Sequence, residues 1–495
     1  CLQQQMMMMK MIPATNRFSS NLAIGIVILG LACGESFIQG VHGEEVEEEN
    51  AWLWQGDSAL LSSATSSSNS DDDHYDMMDG VWSVSVSTNN RNNQSTTTTA
   101  ATTKTTTVPF GYANLHPQSP IPMTAHHRFP VASNSKLYTA VAVYQLHERG
   151  LLDVDADIAS LLSQEDFENF GYTKLQAQGL AHTFCFRLAG PLRHCQKLTL
   201  RHVLGMSSGI YPTLNCNAAP HAACHRAAFI LSLGSIGRTV GTFLTEPLGF
   251  RPGTQFQYSN SNFILATYLV EKYSGLYFRD YLQTHIFAPL GLENSYYDFF
   301  NQALQMDPLR PEQYAKYYDN ATNELIAIGK DGVQLDLGIA SGTGGILATV
   351  QDLATFWYAV FDRDTQGAPL FASPASQKAL LHPWTLVGQG AIVFPNNNNT
   401  RQDVWQYYTQ GTVILCFEPK CQNQQEPRFV LYEGGTVTVH TANILDLATR
   451  RMAQVWTSTL ILSTDRSTYQ ETVDRQTGAW FPDVLVKLNW TNRLF

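Results

Sequence analysis

The 495-residue sequence has little basic charge to offer an anionic partner: 31 Lys and Arg stand against 42 Asp and Glu, a formal net charge of -11. No block is rich in Lys and Arg, and no basic stripe alternates with aromatics, so a surface that tracks a phosphate backbone is excluded and no nucleic-acid partner is expected. The acidity is local, because residues 1–80 hold twelve acids and two bases and so carry -10 of the -11. The sequence also lacks H-E-x-x-H and any C-x2-C pair. The usual zinc spacings are therefore absent, and neither a metal nor a cofactor is expected. Missing too is an unbroken apolar run of about 18 to 20 residues, the length of a spanning helix.

What the chain does have near its start is a shorter apolar segment, Asn21 to Cys33, preceded by Lys10 and Arg17 and followed by small residues. That shape is a secretory signal, with a retained anchor or a lipoprotein cysteine at Cys33 as the alternatives. A secreted or lumenal location is expected, and a membrane is a partner only if the segment is kept. Six cysteines beyond this leader fall into three close pairs, Cys185 with Cys195, Cys216 with Cys224 and Cys416 with Cys421. Local disulfides are the natural reading in an oxidising compartment. Asn-x-Ser/Thr sequons begin at Asn93, Asn320, Asn398 and Asn489 and suit a glycosylated surface.

Residues 1–79 read as signal segment and acidic low-complexity leader, with too few apolar residues for a core. From residue 80 to 495 the 44% apolar content of the chain supports one large enzyme domain. Its first strand is Val81 to Ser87. A polar tract from Asn89 to Thr107 then reads as a long hairpin loop, with a second strand over Val108 to Ala113. Ser133 to Arg149 contains neither Pro nor Gly and spaces Leu137, Ala140, Val141 and Tyr144 as a buried helix that Gly150 stops. Helical patterns dominate from about 151 to 345. Phe429 to Tyr432, Thr436 to Leu447 and Met452 to Ser458 read as strands, the first two joined at a Gly-Gly turn. Strands at both ends around a helical middle predict an α+β fold: an antiparallel sheet flanked by helices, with a helical subdomain.

Two clusters carry chemistry. Ser133 and Lys136, three residues apart at the start of the buried helix, share one face, so a desolvated neutral amine could take the serine proton. The helix N-terminus adds N–H groups and positive dipole for an oxyanion. The bland alternative is a capping serine with a surface lysine. Tyr258-Ser259-Asn260 sits on a Gly-led loop before an apolar helix from Phe263 to Val270. A phenol near a lysine can shuttle protons and an asparagine can hold a carbonyl, against the alternative of a buried tyrosine with a capping asparagine.

The run HHRFPVASNSKLYTAVAVYQLHERGLLDVDADIASLL (126–162) resembles the nucleophile-helix segment of the serine β-lactamase-related family. Further matches follow in that family's order: LTLRHVLGMSSGI (198–210), YSN (258–260), PLGLENS (289–295), SGTGGILATVQDLATF (341–356) and EGGT (433–436). The resemblance implies an acyl-enzyme mechanism on an ester, amide or β-lactam-like carbonyl of a small-molecule or peptide substrate. Ser133 would be nucleophile, Lys136 its base, Tyr258 the proton relay, and Asn260 a support for substrate or Lys136. Backbone N–H groups of Ser133 and Gly435 would form the oxyanion hole, with Tyr432 and Gly434 beside it. The third motif departs from the family, which has Lys-Thr-Gly or His-x-Gly where this chain has Tyr432-Glu433-Gly434. Without that cation, neutral esters or amides are the expected substrates.

Two rivals remain. Gly205-Met206-Ser207-Ser208-Gly209 satisfies the nucleophile-elbow pattern, but Leu200, Val203 and Leu204 before it suggest a helix, not the strand an elbow needs, so a turn is expected. His202 then reads as a packed helix residue and His440 as a surface or pocket-wall residue. The altered third motif motivates the other rival, a catalytically weak or inactive binding protein that keeps the fold.

Overall fold

The computed structural model describes residues 79–461 except 89–101, 116–118, 191–193, 213–234, 299–306, 320–323, 329–340, 363–369, 394–400, 418–420, 422–426, 428 and 436–438. The acidic leader, the apolar segment, all four sequons and the Cys216/Cys224 pair lie outside the described residues.

Eight strands form one antiparallel sheet: β1 (Gly80–Thr88), β2 (Thr102–Phe110), β3 (Thr385–Val393), β4 (Arg401–Tyr408), β5 (Val413–Cys416), β6 (Phe429–Gly435), β7 (His440–Asp446) and β8 (Arg451–Thr457). Their order is β3-β4-β5-β6-β7-β8-β1-β2, so the first hairpin closes against the last strands of the chain. Helices pack on this sheet, which makes the fold α+β as the sequence predicts. A smaller sheet joins Tyr314–Asp319 to Glu324–Ile328 and, in parallel, to Thr459–Ile461. Strands thus occur inside the stretch read as helical.

Two strand boundaries differ from expectation. The threonine tract is not a loop: β2 starts at Thr102 and pairs Thr103, Thr105 and Thr107 with Ser87, Ser85 and Ser83. Threonine is β-branched and suits a pleated surface despite its polarity, and the Ser85 and Thr105 hydroxyls lie 2.8 Å apart. Nor do Gly434 and Gly435 form a turn. They end β6, opposite Thr441 and His440.

Helix α1 (Ser135–Glu148) is buried over twelve of its fourteen residues, from Ser135 to Leu146. A helix apolar on most sides has to be enclosed, and α2 (Asn260–Ser274) and the helices Phe278–Leu282 and Pro374–Leu380 pack against it. Helix α3 (Val350–Phe361) lies against β1 and β2, where the Tyr358 hydroxyl donates to the carbonyls of Ser85 and Arg450. Disulfides join Cys185 to Cys195 and Cys416 to Cys421, as the close spacing suggested. No helix among the described residues is long and apolar enough to cross a membrane.

Candidate active site

Ser133 lies in a single 3-10 turn, Ala132–Asn134, that runs directly into α1. Ala132 before it has φ +47°, a left-handed conformation that costs a non-glycine residue on the order of 1 kcal/mol. Tertiary contacts hold that turn. The Asn134 amide donates to Thr441 Oγ1 (3.0 Å) and accepts from Asn443 Nδ2 (3.1 Å). Asn443 Oδ1 in turn accepts from Trp456 Nε1 (3.0 Å) and Gln454 Nε2 (3.3 Å), and Gln454 accepts from Ser83 (2.8 Å). A buried polar ladder therefore runs from β1 through β8 and β7 to the residue beside Ser133. With each member satisfied, such a network fixes one geometry.

Ser133 Oγ is 2.6 Å from the Tyr258 hydroxyl and accepts from Lys136 Nζ at 3.0 Å. Lys136 is fully buried, and its amine also donates to the Thr343 carbonyl (3.0 Å). Burial holds its amine below the ordinary lysine range, with Tyr258 opposing that shift. Thr343 arrives on a loop threaded between α1 and α2: Gly342 donates to Thr267 Oγ1 and its carbonyl accepts from Thr139 Oγ1. A Cβ at Gly342 would fall 1.9 Å from that Thr139 oxygen, so only glycine brings the Thr343 carbonyl to Lys136.

Tyr258 is positioned from below by the expected turn. Leu200–Leu204 is a helix, and the Gly205–Gly209 segment after it turns back, with Ser207 buried and its N–H bonded to the His202 carbonyl. Met206 accepts from Gln257 N through its carbonyl and from Ser259 N (3.3 Å) and Asn262 Nδ2 (3.5 Å) through its sulfur. The elbow-like pentapeptide is a bracket for the YSN loop. His202 is packed in the same place, its Nδ1 bonded within its own capping box. His440 begins β7 with its Nε2 3.6 Å from Glu433 Oε2 at the surface.

Asn260 is the first residue of α2, half-buried, and its side chain donates to no described residue. Lys136 is supported by Thr343 instead. On β6, strand β5 pairs only with Phe429, Val430 and Leu431, so Tyr432 to Gly435 have β7 on one side and no described strand on the other. Gly434 faces the nucleophile turn: a Cβ there would lie 2.3 Å from the Val131 carbonyl and 2.9 Å from Asn134 Nδ2. Replacing Gly434 with Ala is expected to push β6 off the turn, destabilise the fold by about 1–3 kcal/mol in urea melts, and cut ester hydrolysis more than stability. Unchanged activity would mean that β6 need not approach Ser133 so closely.

Tyr432 departs from the expected position beside the substrate. It is 1% exposed, and its hydroxyl lies 2.8 Å from that of Tyr408 on β4. Burial, with Tyr258 and Tyr408 adding to it, pushes its phenol well above the ordinary range. It is a neutral group beneath the site rather than an open wall of it. Among the described residues no cluster of His, Cys, Asp and Glu could hold a metal ion.

The family profile described as Beta-lactamase matches residues 87–415. Penicillin-binding protein 4* of Bacillus subtilis is 24% identical over 288 residues, covering 55% of this chain and 52% of that protein. Lovastatin esterase of Penicillium rubens is 30% identical over 168 residues, 33% of this chain and 38% of the esterase. The chain thus spans about half or less of the length of these curated relatives. In fold it is similar to simvastatin synthase from Aspergillus terreus, with TM-score 0.55 and 18% identity over 88% of this chain and 98% of that one. A penicillin-binding protein from Bacillus halodurans gives TM-score 0.53 and 17% identity over 89% and 99%.

Proposed function

Because the chain belongs to the Beta-lactamase family, we propose that it is a serine hydrolase in which Ser133 attacks an acyl carbonyl and forms an acyl-enzyme. The observation that carries this reading is a serine oxygen held between a desolvated lysine amine at 3.0 Å and a phenol at 2.6 Å. As the Ser133–carbonyl bond forms, the serine proton passes to this pair, and Tyr258 delivers it to the leaving oxygen or nitrogen. Water then attacks the acyl carbon, gives its proton back through Tyr258, and releases the acid. The developing oxyanion would be met by the backbone N–H groups of Ser133 and Gly435. Asn260, whose amide is not engaged with described residues, is left to the substrate. Retention of this pair favours an enzyme over a binding protein. The two disulfides support secretion.

The substrate is proposed to be a neutral ester or amide. Tyr432 stands where relatives carry Lys or His, and it is spent on Tyr408, so it brings no charge to a substrate carboxylate. A charge-assisted hydrogen bond is worth about 1.5–3 kcal/mol, so a carboxylate-bearing β-lactam should be turned over roughly ten- to a hundredfold less efficiently than a neutral aryl ester. Comparing kcat/KM for the two substrates tests this. Equal efficiencies would mean that another cation binds the carboxylate.

A further inference from the structure

The two N–H groups assigned to the oxyanion lie far apart in the chain, Ser133 on the nucleophile turn and Gly435 at the end of β6, so one segment has to be set against the other. Along Tyr432 to Gly435, β6 is held by β7 alone, with no described strand on its other edge. Thr441 of β7 touches both segments. Its buried hydroxyl oxygen lies 3.0 Å from Asn134 Nδ2, 3.2 Å from the Gly434 carbonyl oxygen and 3.3 Å from that of Val131. Glycine at 434 permits this approach, since a Cβ there would fall 2.7 Å from the Thr441 hydroxyl.

Groups that can only donate or only accept fix the direction of each bond. Trp456 Nε1 only donates, so the Asn443 atom 3.0 Å from it is Oδ1, and Nδ2 is the atom turned to Asn134. The Val131 and Thr441 carbonyls only accept, so the Asn134 atom 3.2 and 3.4 Å from them is Nδ2. Both ends agree. Asn134 therefore donates to Thr441 Oγ1, which keeps its own proton to give. The Val131 carbonyl already takes Asn134 N at 3.1 Å and Asn134 Nδ2 at 3.2 Å, one for each lone pair, so the Thr441 proton goes to the Gly434 carbonyl. That carbonyl and the Gly435 N–H are the two ends of one planar peptide group, and holding one aims the other.

We propose that Thr441 is a positioning residue for the oxyanion hole: its hydroxyl ties the Gly435 peptide group to the turn that carries Ser133, so that both N–H groups meet the developing oxyanion together. This rests on the acyl-transfer reading and deepens it. Thr441 touches none of the reacting atoms, and its proton stays on it throughout. Removing the hydroxyl loosens the Gly435 peptide without deleting its N–H, so the loss should be smaller than the roughly 10²- to 10³-fold in kcat that follows removal of an oxyanion donor.

The test compares Thr441→Val and Thr441→Ser with the native full chain, assayed on a neutral aryl ester below their melting temperatures. Valine keeps the shape and removes the hydroxyl, whereas serine keeps the hydroxyl and removes a methyl group. Thr441→Val should lower kcat by about 10- to 30-fold and leave KM within about twofold, because the contact matters only as the oxyanion forms. Thr441→Ser should keep kcat within about threefold, even where its melting temperature falls. An arylboronic acid gives a second readout: its boron bonds the Ser133 oxygen, the serine proton passes to the Lys136–Tyr258 pair, and a boron hydroxyl stands where the oxyanion forms. Its inhibition constant should rise with Thr441→Val by about the factor that kcat falls. Asn134→Ala removes the donor at the other end of the same bond and should also lower kcat, with the double variant losing less than the product of the two single losses. A Thr441→Val enzyme with native kcat and boronate affinity, or a Thr441→Ser enzyme that loses more kcat than Thr441→Val, would reduce the residue to packing and overturn the inference. Labelling by a fluorophosphonate separates the two levels: a labelled native Ser133 with kcat unmoved by Thr441→Val defeats only the inference, and an unlabelled native Ser133 defeats the reading beneath it.

Discussion

Replacement of Ser133 with Ala should abolish hydrolysis of neutral aryl esters, by at least about 10⁴-fold in kcat, while Ser207→Ala leaves most of the activity. The two serines stand in superficially similar sequences, and their surroundings separate them. Ser133 Oγ has a base on either side. Ser207 is sealed in a turn, its hydroxyl 3.5 Å from the His202 carbonyl with no base beside it among the described residues. Ser133→Ala removes the bond-forming atom, and nothing else in the site can form the acyl-enzyme. Ser207→Ala removes a weak internal contact. Equal losses from both changes would make the turn, not the helix, the source of the nucleophile.

The second large effect is expected at Lys136. Lys136→Met keeps the length and apolar stem of the side chain and removes the amine, so kcat/KM should fall between about 10² and 10⁴-fold, the usual contribution of a positioned base. Stability should move the other way at neutral pH. Burial depresses the folded-state pKa of Lys136 below 10.5, so between that depressed value and 10.5 the unfolded chain binds a proton that the native state lacks. Native stability therefore rises with pH across that window, and the cost of burying the lysine is greatest below it. Methionine carries no such cost. The variant should melt no lower than the native protein near neutrality, and its advantage should shrink as pH approaches 10.5. Melting temperatures across pH, set beside ester kinetics, check both halves; an advantage that grows with pH would mean Lys136 is charged and paired in the fold.

Much of this site was legible where chemistry and sequence are contiguous. Ser133 and Lys136 are one helical turn apart, so spacing alone puts them on one face, and the buried helix follows from the lack of Pro and Gly through Arg149. The remaining partners are distant in the chain. Thr343 lies 207 residues from Lys136, Asn443 lies 309 from Asn134, and Tyr408 has no local signal to single it out from other strand aromatics. Asn134 was in view inside Ser-Asn-Ser-Lys, but its role depends on a strand at the other end of the sequence. The misread strand ends have local causes. Threonine polarity imitates a loop in β2, and two consecutive glycines imitate a turn where β6 instead needs to approach the Val131 carbonyl. Tyr432 stands out in the sequence as a departure from the third motif, yet only the fold shows that a second phenol covers it.

The central claim is that Ser133 is an activated nucleophile, and adduct mapping tests it without knowledge of the natural substrate. The full chain is treated with a fluorophosphonate, digested, and the modified peptide sequenced by mass spectrometry, with Ser133→Ala and Ser207→Ala alongside. The account predicts one adduct, on Ser133, absent from Ser133→Ala and retained in Ser207→Ala. An adduct on Ser207, or no adduct on the folded native protein, would contradict it.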